Sequence, residues 1–304
     1  MNETRLRGHW PALMSPVDGR GRLDTARAIE HARRMLAGGS DGVTLFGTTG
    51  EGTAFTVTQR QALVDAFVAA GIGGSQLIVN LTALALADAI ELGRHAMQQG
   101  VAGTLLMPPF YFNAPRDAGL VESVSQVVRG IDHEQLRVML YHFPSLCNVS
   151  FSHPAIAELA RRHPGQVVGV KDSSGDLPHS LGLVRAFPEL SILVGCEPHV
   201  APTMLAGGAG SINGLANVAP RLMQRVIDRP GVVSAADQAL MQGLLALLGL
   251  RPDMPFVSVY KTVLAEQTGD DAWLNVCAPL TPLDNTEARA VREAYRALDV
   301  GDSL

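Results

Sequence analysis

The hydrophobic pattern of this chain changes period at regular intervals. Short continuous apolar runs recur eight times: WPALM (10–14), GVTLF (42–46), QLIVN (76–80), GTLLMP (103–108), RVMLY (137–141), VVGVK (167–171), SILVG (191–195) and GSING (210–214). A strand buried on both faces reads this way, because apolar–polar alternation disappears when neither face meets water. Between the runs the spacing turns helical. In DTARAIEHARRMLAGG, Asp24 is placed to cap, Ile29, Ala32 and Leu36 fall on one face, and Gly38-Gly39 supplies the stop. In VTQRQALVDAFVAAG, Leu63 pairs with Phe67 and Val64 with Val68 at i,i+4; HPAIAELARRH gathers Ile156, Leu159 and Ala160. Buried strands alternating with amphipathic helices predict a parallel sheet covered by helices. Eight such units predict an α/β fold closed as a (β/α)8 TIM barrel. A doubly wound open sheet is the competing architecture, but no GxGxxG follows the first strand.

Beyond about residue 230 the alternation stops. Segments 234–249, 254–268 and 284–298 read as helices alone, separated by GLRPDMP and CAPLTPLDN. The expected organisation is a barrel over residues 1–230 carrying the active site and a C-terminal helical extension over 231–304, which suits a chain of 304 residues. Net charge is −5 and no basic run occurs, which argues against electrostatic nucleic-acid binding. The apolar run LLALLGL (244–250) is far short of the roughly 20 residues a membrane-spanning helix needs. The N-terminus has no apolar leader-like stretch, and Cys147, Cys196 and Cys277 lie far apart without CxxC pairing. Together these predict a cytoplasmic protein with reduced thiols.

Of 24 basic residues only Lys171 and Lys261 are lysines. Lys171 ends the sixth apolar run, and in a parallel barrel functional groups gather beyond the C-terminal strand ends. The same rim should receive GTTGEG (47–52), PPFYF (108–112), YHFPSLCN (141–148), GCEP (195–198) and SINGLAN (211–217). Desolvation disfavours a charged amine, and a neutral lysine can form a Schiff base with a ketone; a phosphate-binding or salt-bridging lysine is the alternative. GTTGEG lacks the Gly-Lys-Ser/Thr ending of a P-loop. Its hydroxyls and glycine-flanked amides suit a carboxylate, unless it is only a tight turn with a threonine cap. Tyr141 and Tyr111 could relay protons or simply pack. The nine histidines show no HxH or HExxH spacing, so a metal-dependent barrel enzyme fits poorly.

With Gly-Thr-Thr-Gly-Glu after strand two, Tyr-x-x-Pro after strand five and Gly-Val-Lys after strand six, the chain resembles the dihydrodipicolinate synthase/N-acetylneuraminate lyase family. The resemblance includes LMSPVD, PPFYF and GGAGSINGLANVAP and runs from about residue 8 to 298. It implies that Lys171 forms a Schiff base with pyruvate or another 2-oxo acid and that Tyr141 is the acid/base. Thr48 and Thr49, beside Gly47, would hold the carboxylate, with Thr49 also in a hydroxyl relay to Tyr141. The backbone of Ile212 would face the bound acid. Tyr111 would reach into a neighbouring subunit's relay, making a homo-oligomer, dimer or tetramer. No metal or organic cofactor is implied.

Two positions depart from the family pattern. Leu146 stands where the synthases carry an arginine for the second substrate's carboxylate, and Cys196-Glu197 replaces the Asp-Glu pair of the sialic-acid lyases. His142, Ser145, Glu197, Asn213 and Gly214 are expected to form a polar wall suited to hydroxyl groups. The expected reaction is therefore reversible aldol cleavage of a 2-keto-3-deoxy sugar acid, or a related hydroxy-oxo acid, to pyruvate and an aldehyde. The alternatives are a Schiff-base dehydratase of such an acid, a 4-hydroxy-tetrahydrodipicolinate synthase and a non-catalytic 2-oxo-acid-binding protein. Lys261 is assigned to a C-terminal helix, and Asp172 and Asp176 to loop and cap positions.

Overall fold

The computed structural model describes residues 5–112, 114–250 and 256–303. The RPDMP stretch expected to separate two C-terminal helices, with the first two residues of the second, lies outside them. Eight strands form one parallel sheet: β1 (Gly8–His9), β2 (Val43–Leu45), β3 (Leu77–Asn80), β4 (Gly103–Leu106), β5 (Val138–His142), β6 (Val167–Asp172), β7 (Ser191–Val194) and β8 (Gly210–Ser211). Their order is β1-β8-β7-β6-β5-β4-β3-β2. The seam between β1 and β2 closes through a parallel bridge between Ala12 and Thr44, with Leu13 N–H donating to Thr44 O at 2.9 Å and Thr44 N–H to Pro11 O at 2.8 Å. The fold is therefore the (β/α)8 barrel that the eightfold alternation predicts. The first strand is ragged where the WPALM run predicts continuity. Pro11 faces β2 and has no N–H to give there, so it only accepts, from Thr44; on the β8 side single bonds run from Trp10 to Ser211 O and from Ala12 to Asn213 O.

Between the strands run α1 (Thr25–Ala37), α2 (Val57–Ala69), α3 (Leu86–Gln98), α4 (Asp117–Ile131), the single turn α5 (Pro144–Cys147), α6 (His153–Arg162), α7 (Leu177–Ala186) and α8 (Val200–Leu205). After β8 come α9 (Pro220–Asp228), α10 (Ala235–Leu248), α11 (Phe256–Thr268) and α12 (Asn285–Arg296). Local chemistry sets the helix starts. The Asp24 carboxylate accepts from Arg27 N–H, Thr56 and Gln59 form a reciprocal capping box, and Asp176 caps α7. One buried cluster fills the barrel and the space under its helices. A second joins Met14, Val194 and Leu215 at the barrel's upper rim to Val259, Val263, Leu264, Trp273 and Val291 of the C-terminal segment. The C-terminal helices are thus packed over the end of the barrel where strands β1, β7 and β8 deliver their last residues. Among the described residues no helix is long and apolar enough to cross a membrane.

Candidate active site

β5 and β6 pair in register, so Tyr141 lies beside Lys171 and His142 beside Asp172. Strand alternation turns the first pair into the barrel mouth and the second toward the helices. Lys171 is 3% exposed, and its Nζ sits 4.0 Å from the centre of the Tyr141 ring. Among the described residues the amine has no hydrogen-bond or ion-pair partner. It opens into a cavity of about 350 Å³ whose wall also includes Thr48, Thr49, Phe143, Glu197, Ile212 and Gly214. The Tyr141 hydroxyl lies 3.0 Å from Thr48 Oγ1. A buried amine, a phenol and a hydroxyl thus share one side of a cavity whose other walls carry Ser145, Ser173, Glu197 and Asn213 among apolar residues.

The GTTGEG loop takes its shape from two left-handed residues, Phe46 (φ 61°) and Glu51 (φ 52°). Gly52 cannot be replaced without moving the turn, since a Cβ there would stand 1.8 Å from Phe46 O. The loop is anchored from behind. Glu51 is buried, its Oε1 accepting from Lys261 Nζ at 2.5 Å and its Oε2 from Cys277 N–H at 2.6 Å; Lys261 also donates to Asn275 O at 2.7 Å. Burial pulls the Lys261 ammonium below its ordinary value, and the facing Glu51 carboxylate opposes that pull.

The far wall comes from β7 and β8. Glu197 is buried, with its Oε1 accepting from Leu215 N–H at 3.0 Å. Desolvation holds its carboxyl above the usual range, against the lowering influence of that bond and of Lys171. The neighbouring Cys196 thiol is pushed up to about 11, by burial first and by Glu197 second. Among the described residues lining this cavity, Lys171 and Glu197 are the only ones of charged type. Asn213 lines it too, yet both ends of its amide are engaged, to Ser211 Oγ at 2.7 Å and from Ala216 N–H at 3.0 Å.

Several expected residues are placed differently. Thr48, not Thr49, contacts Tyr141; Thr49 turns its Oγ1 toward Gly214, where an added Cβ would come within 3.3 Å. His142 is not part of the cavity wall: it is the outward residue of β5, its Nδ1 accepting from Phe151 N–H at 3.2 Å. Gly47 and Leu146 line a separate cavity of about 380 Å³ that also contains Glu51, Cys147 and Cys277 and shares Thr48 with the first. Tyr111 is 75% exposed and borders neither of these two cavities. Asp172 is a buried strand residue, not a loop residue. Lys171, Tyr141, Thr48, Thr49, Ile212, Glu197, Asn213, Ser145 and Gly214 all line the first cavity.

The sequence reading missed the contribution of the C-terminal helices. Leu248 of α10 and Phe256 and Tyr260 of α11 close one side of the cavity. A Cβ on Gly214 would lie 3.1 Å from the Tyr260 ring, so a glycine there lets phenol and loop meet. Burial, then the Glu197 charge, raises the Tyr260 phenol well above its ordinary value. The one local hint was adjacency: Tyr260 precedes the second lysine.

Comparison with known proteins fits this geometry. The profile of the Dihydrodipicolinate synthetase family matches residues 5–298. An uncharacterized DapA-like lyase of Chloroflexus aurantiacus is 32% identical over 97% of this chain and 98% of its own. A probable 2-dehydro-3-deoxy-D-pentonate aldolase, YjhH of Escherichia coli, is 29% identical over 84% of this chain and 86% of its own. The crystal structure of dihydrodipicolinate synthase from Agrobacterium tumefaciens superposes with a TM-score of 0.90 at 33% identity, covering 97% of this chain and all of that one.

Proposed function

Because this chain belongs to the dihydrodipicolinate synthetase family and is an enzyme of the lyase and aldolase class, we propose that Lys171 forms a Schiff base with a 2-oxo acid and that the reaction is reversible aldol cleavage of a 2-keto-3-deoxy sugar acid. The observation that carries this reading is an amine shielded from water, without an ion partner among the described residues, beside the Tyr141–Thr48 hydroxyl pair. The amine adds to the C2 carbonyl and water leaves, giving an iminium. Tyr141 takes the proton of the C4 hydroxyl as the C3–C4 bond breaks, and the bonding electrons move onto the iminium as an enamine. The aldehyde departs, C3 is reprotonated, and hydrolysis returns pyruvate and the free amine. The iminium is itself the electron sink, so the sequence of steps calls for no cofactor.

The cavity wall supports a hydroxylated second fragment over a carboxylated one. Lys171 is its one cationic residue among those described, and it is consumed in the iminium; the remaining ionisable group of charged type is Glu197, an acid. A second carboxylate would therefore be buried without a counter-charge, at a cost of several kcal/mol. The aldolase activity named for the E. coli relative points the same way. Thr48 and Thr49 serve the pyruvate carboxylate, and the backbone at Ile212 faces it. Tyr111 of a second copy completes the relay in a homo-oligomer. Support comes from its exposure beside Phe112 and Leu84, and from the open cavity next to Thr48. The buried, unbridged Cys147 and Cys277 suit a cytoplasmic setting.

Incubation with pyruvate and borohydride should add one reduced pyruvate to Lys171, located by peptide mass. An unlabelled protein, or a label confined to Lys261, overturns the Schiff base. A pyruvate-release screen across 2-keto-3-deoxy acids, with aspartate semialdehyde condensation as control, then tests the substrate class.

A further inference from the structure

On the outer side of the strand ends lies a hydrogen-bonded cluster that the reaction above does not use. Asp172 directly follows Lys171, and its side chain is fully buried. Its Oδ2 accepts from Ser180 Oγ at 2.6 Å and meets His179 Nδ1 at 2.9 Å, both from α7; its Oδ1 accepts from Ser174 N–H at 3.0 Å. His179 stacks on His142, the residue after Tyr141, with ring centres 4.5 Å apart and planes at 17°. Stacked rings whose Nδ1 atoms are already committed, one to Phe151 N–H and one to Asp172, make a poor metal site despite the grouping of two histidines and a carboxylate.

The same cluster shapes the cavity. Ser173 N–H donates to His142 O and Gly195 N–H to Asp172 O, both at 2.8 Å. Ser173, Ser174 and Gly175 form part of the wall facing Lys171. Asp172 therefore holds from behind the turn that borders the reacting amine.

We propose that Asp172, His179 and Ser180 are positioning residues that fix the Lys171 strand end and the 173–175 wall, and that their hold relaxes when His179 loses its proton. This rests on the Schiff-base reading of the preceding subsection. Four titratable groups face His179: Asp172 from β6, Asp176 at the α7 cap, His142 from β5, and His153 from α6 with its ring centre 6.1 Å away. The Asp172 hydrogen bond, with smaller help from both acids, raises the His179 imidazole above its ordinary value. His142 is lowered to about 4, by burial first and the His179 charge second, so of the stacked pair His179 is the ring favoured to hold a proton. Deprotonated His179 still donates through Nδ1–H, but the buried Asp172 anion then has no cation against it. In the folded state the raised value means that the stabilisation is complete below the free imidazole value and is lost as pH rises through the shifted one.

The test uses the full chain with pyruvate and cyanoborohydride, reading the initial rate of the Lys171 mass gain from about pH 6 to about pH 9. His179→Gln keeps a donor and removes the charge. The ratio of wild-type to His179→Gln rates should be about fivefold at the acid end, the size of an ordinary coupling between contacting residues, and should fall toward one at the alkaline end. Ser180→Ala removes a second donor and should steepen the wild-type alkaline fall. It serves also if His179→Gln does not fold. Ratios that stay constant across the range, or Ser180→Ala following the wild-type profile, overturn the positioning role. A wild-type chain that never labels overturns the Schiff base beneath it.

Discussion

The two lysines of this chain sit in regions of almost equal burial and opposite chemistry. Lys261 is wholly enclosed, and each of its contacts is electrostatic: a carboxylate from the GTTGEG loop and a carbonyl from the 275–277 segment. Lys171 is enclosed almost as fully, yet its neighbours are the face of a phenol and an open cavity. Burying an ammonium against a carboxylate keeps the charge and fastens two segments together. Burying it against a ring and a void leaves a group that can react. The comparison teaches that burial alone does not distinguish a structural lysine from a reactive one; what faces the nitrogen does.

That contrast can be broken most severely at Lys171. Lys171→Met should lower turnover on the order of 10³-fold or more, as loss of a nucleophile does, while the melting temperature stays level or rises because an unpaired buried amine is gone. A matching loss of stability would show that Lys171 is structural too. Lys261→Met should reverse the pattern. It strands the Glu51 carboxylate in the interior at about 3–5 kcal/mol, read as a lower denaturation midpoint, while the folded fraction still takes the pyruvate adduct at Lys171.

Acid sharpens the picture at the outer face of the mouth. Burial lowers His142 to about 4, whereas the unfolded chain binds that proton near 6.5. Stability should therefore fall as pH drops from about 6.5 to about 4, by about 3 kcal/mol for this residue, and His142→Asn should flatten that part of the profile. His9 and His31, also lowered to about 4 by burial, add to the same limb in both proteins. The smallest effect is expected at Thr48. Thr48→Val removes the 3.0 Å contact to Tyr141 and should slow cleavage about tenfold, one hydrogen bond's worth. Equal slowing by Thr49→Val would return the relay to Thr49.

Much of this was legible in the chain. Seven of the eight strands overlap the apolar runs, and the first, Gly8–His9, ends just before WPALM; a strand covered on both faces is mostly apolar whatever it touches. Asp24 and Asp176 cap as local chemistry demands. The legibility stops where side-chain direction decides. In VMLYH a one-residue step separates Tyr141, inside the mouth, from His142, outside it, and the polarity of histidine gives no warning of which way it turns. Thr48 and Thr49 differ likewise by one step around a turn whose left-handed residues, Phe46 and Glu51, are not the glycines that would announce it.

By itself, then, the amino-acid order determined the barrel, the rim and the lysine at the end of β6. Each depends on periodicity and near neighbours, which a linear chain carries. It takes the folded chain to bring Glu51 onto Lys261 from 210 positions away, to set Tyr260 in the cavity wall, and to hydrogen-bond Asp172 to the Ser174 turn beside that cavity. Those pairings depend on chain closure and on which face of each strand meets which helix, and no local spacing encodes either.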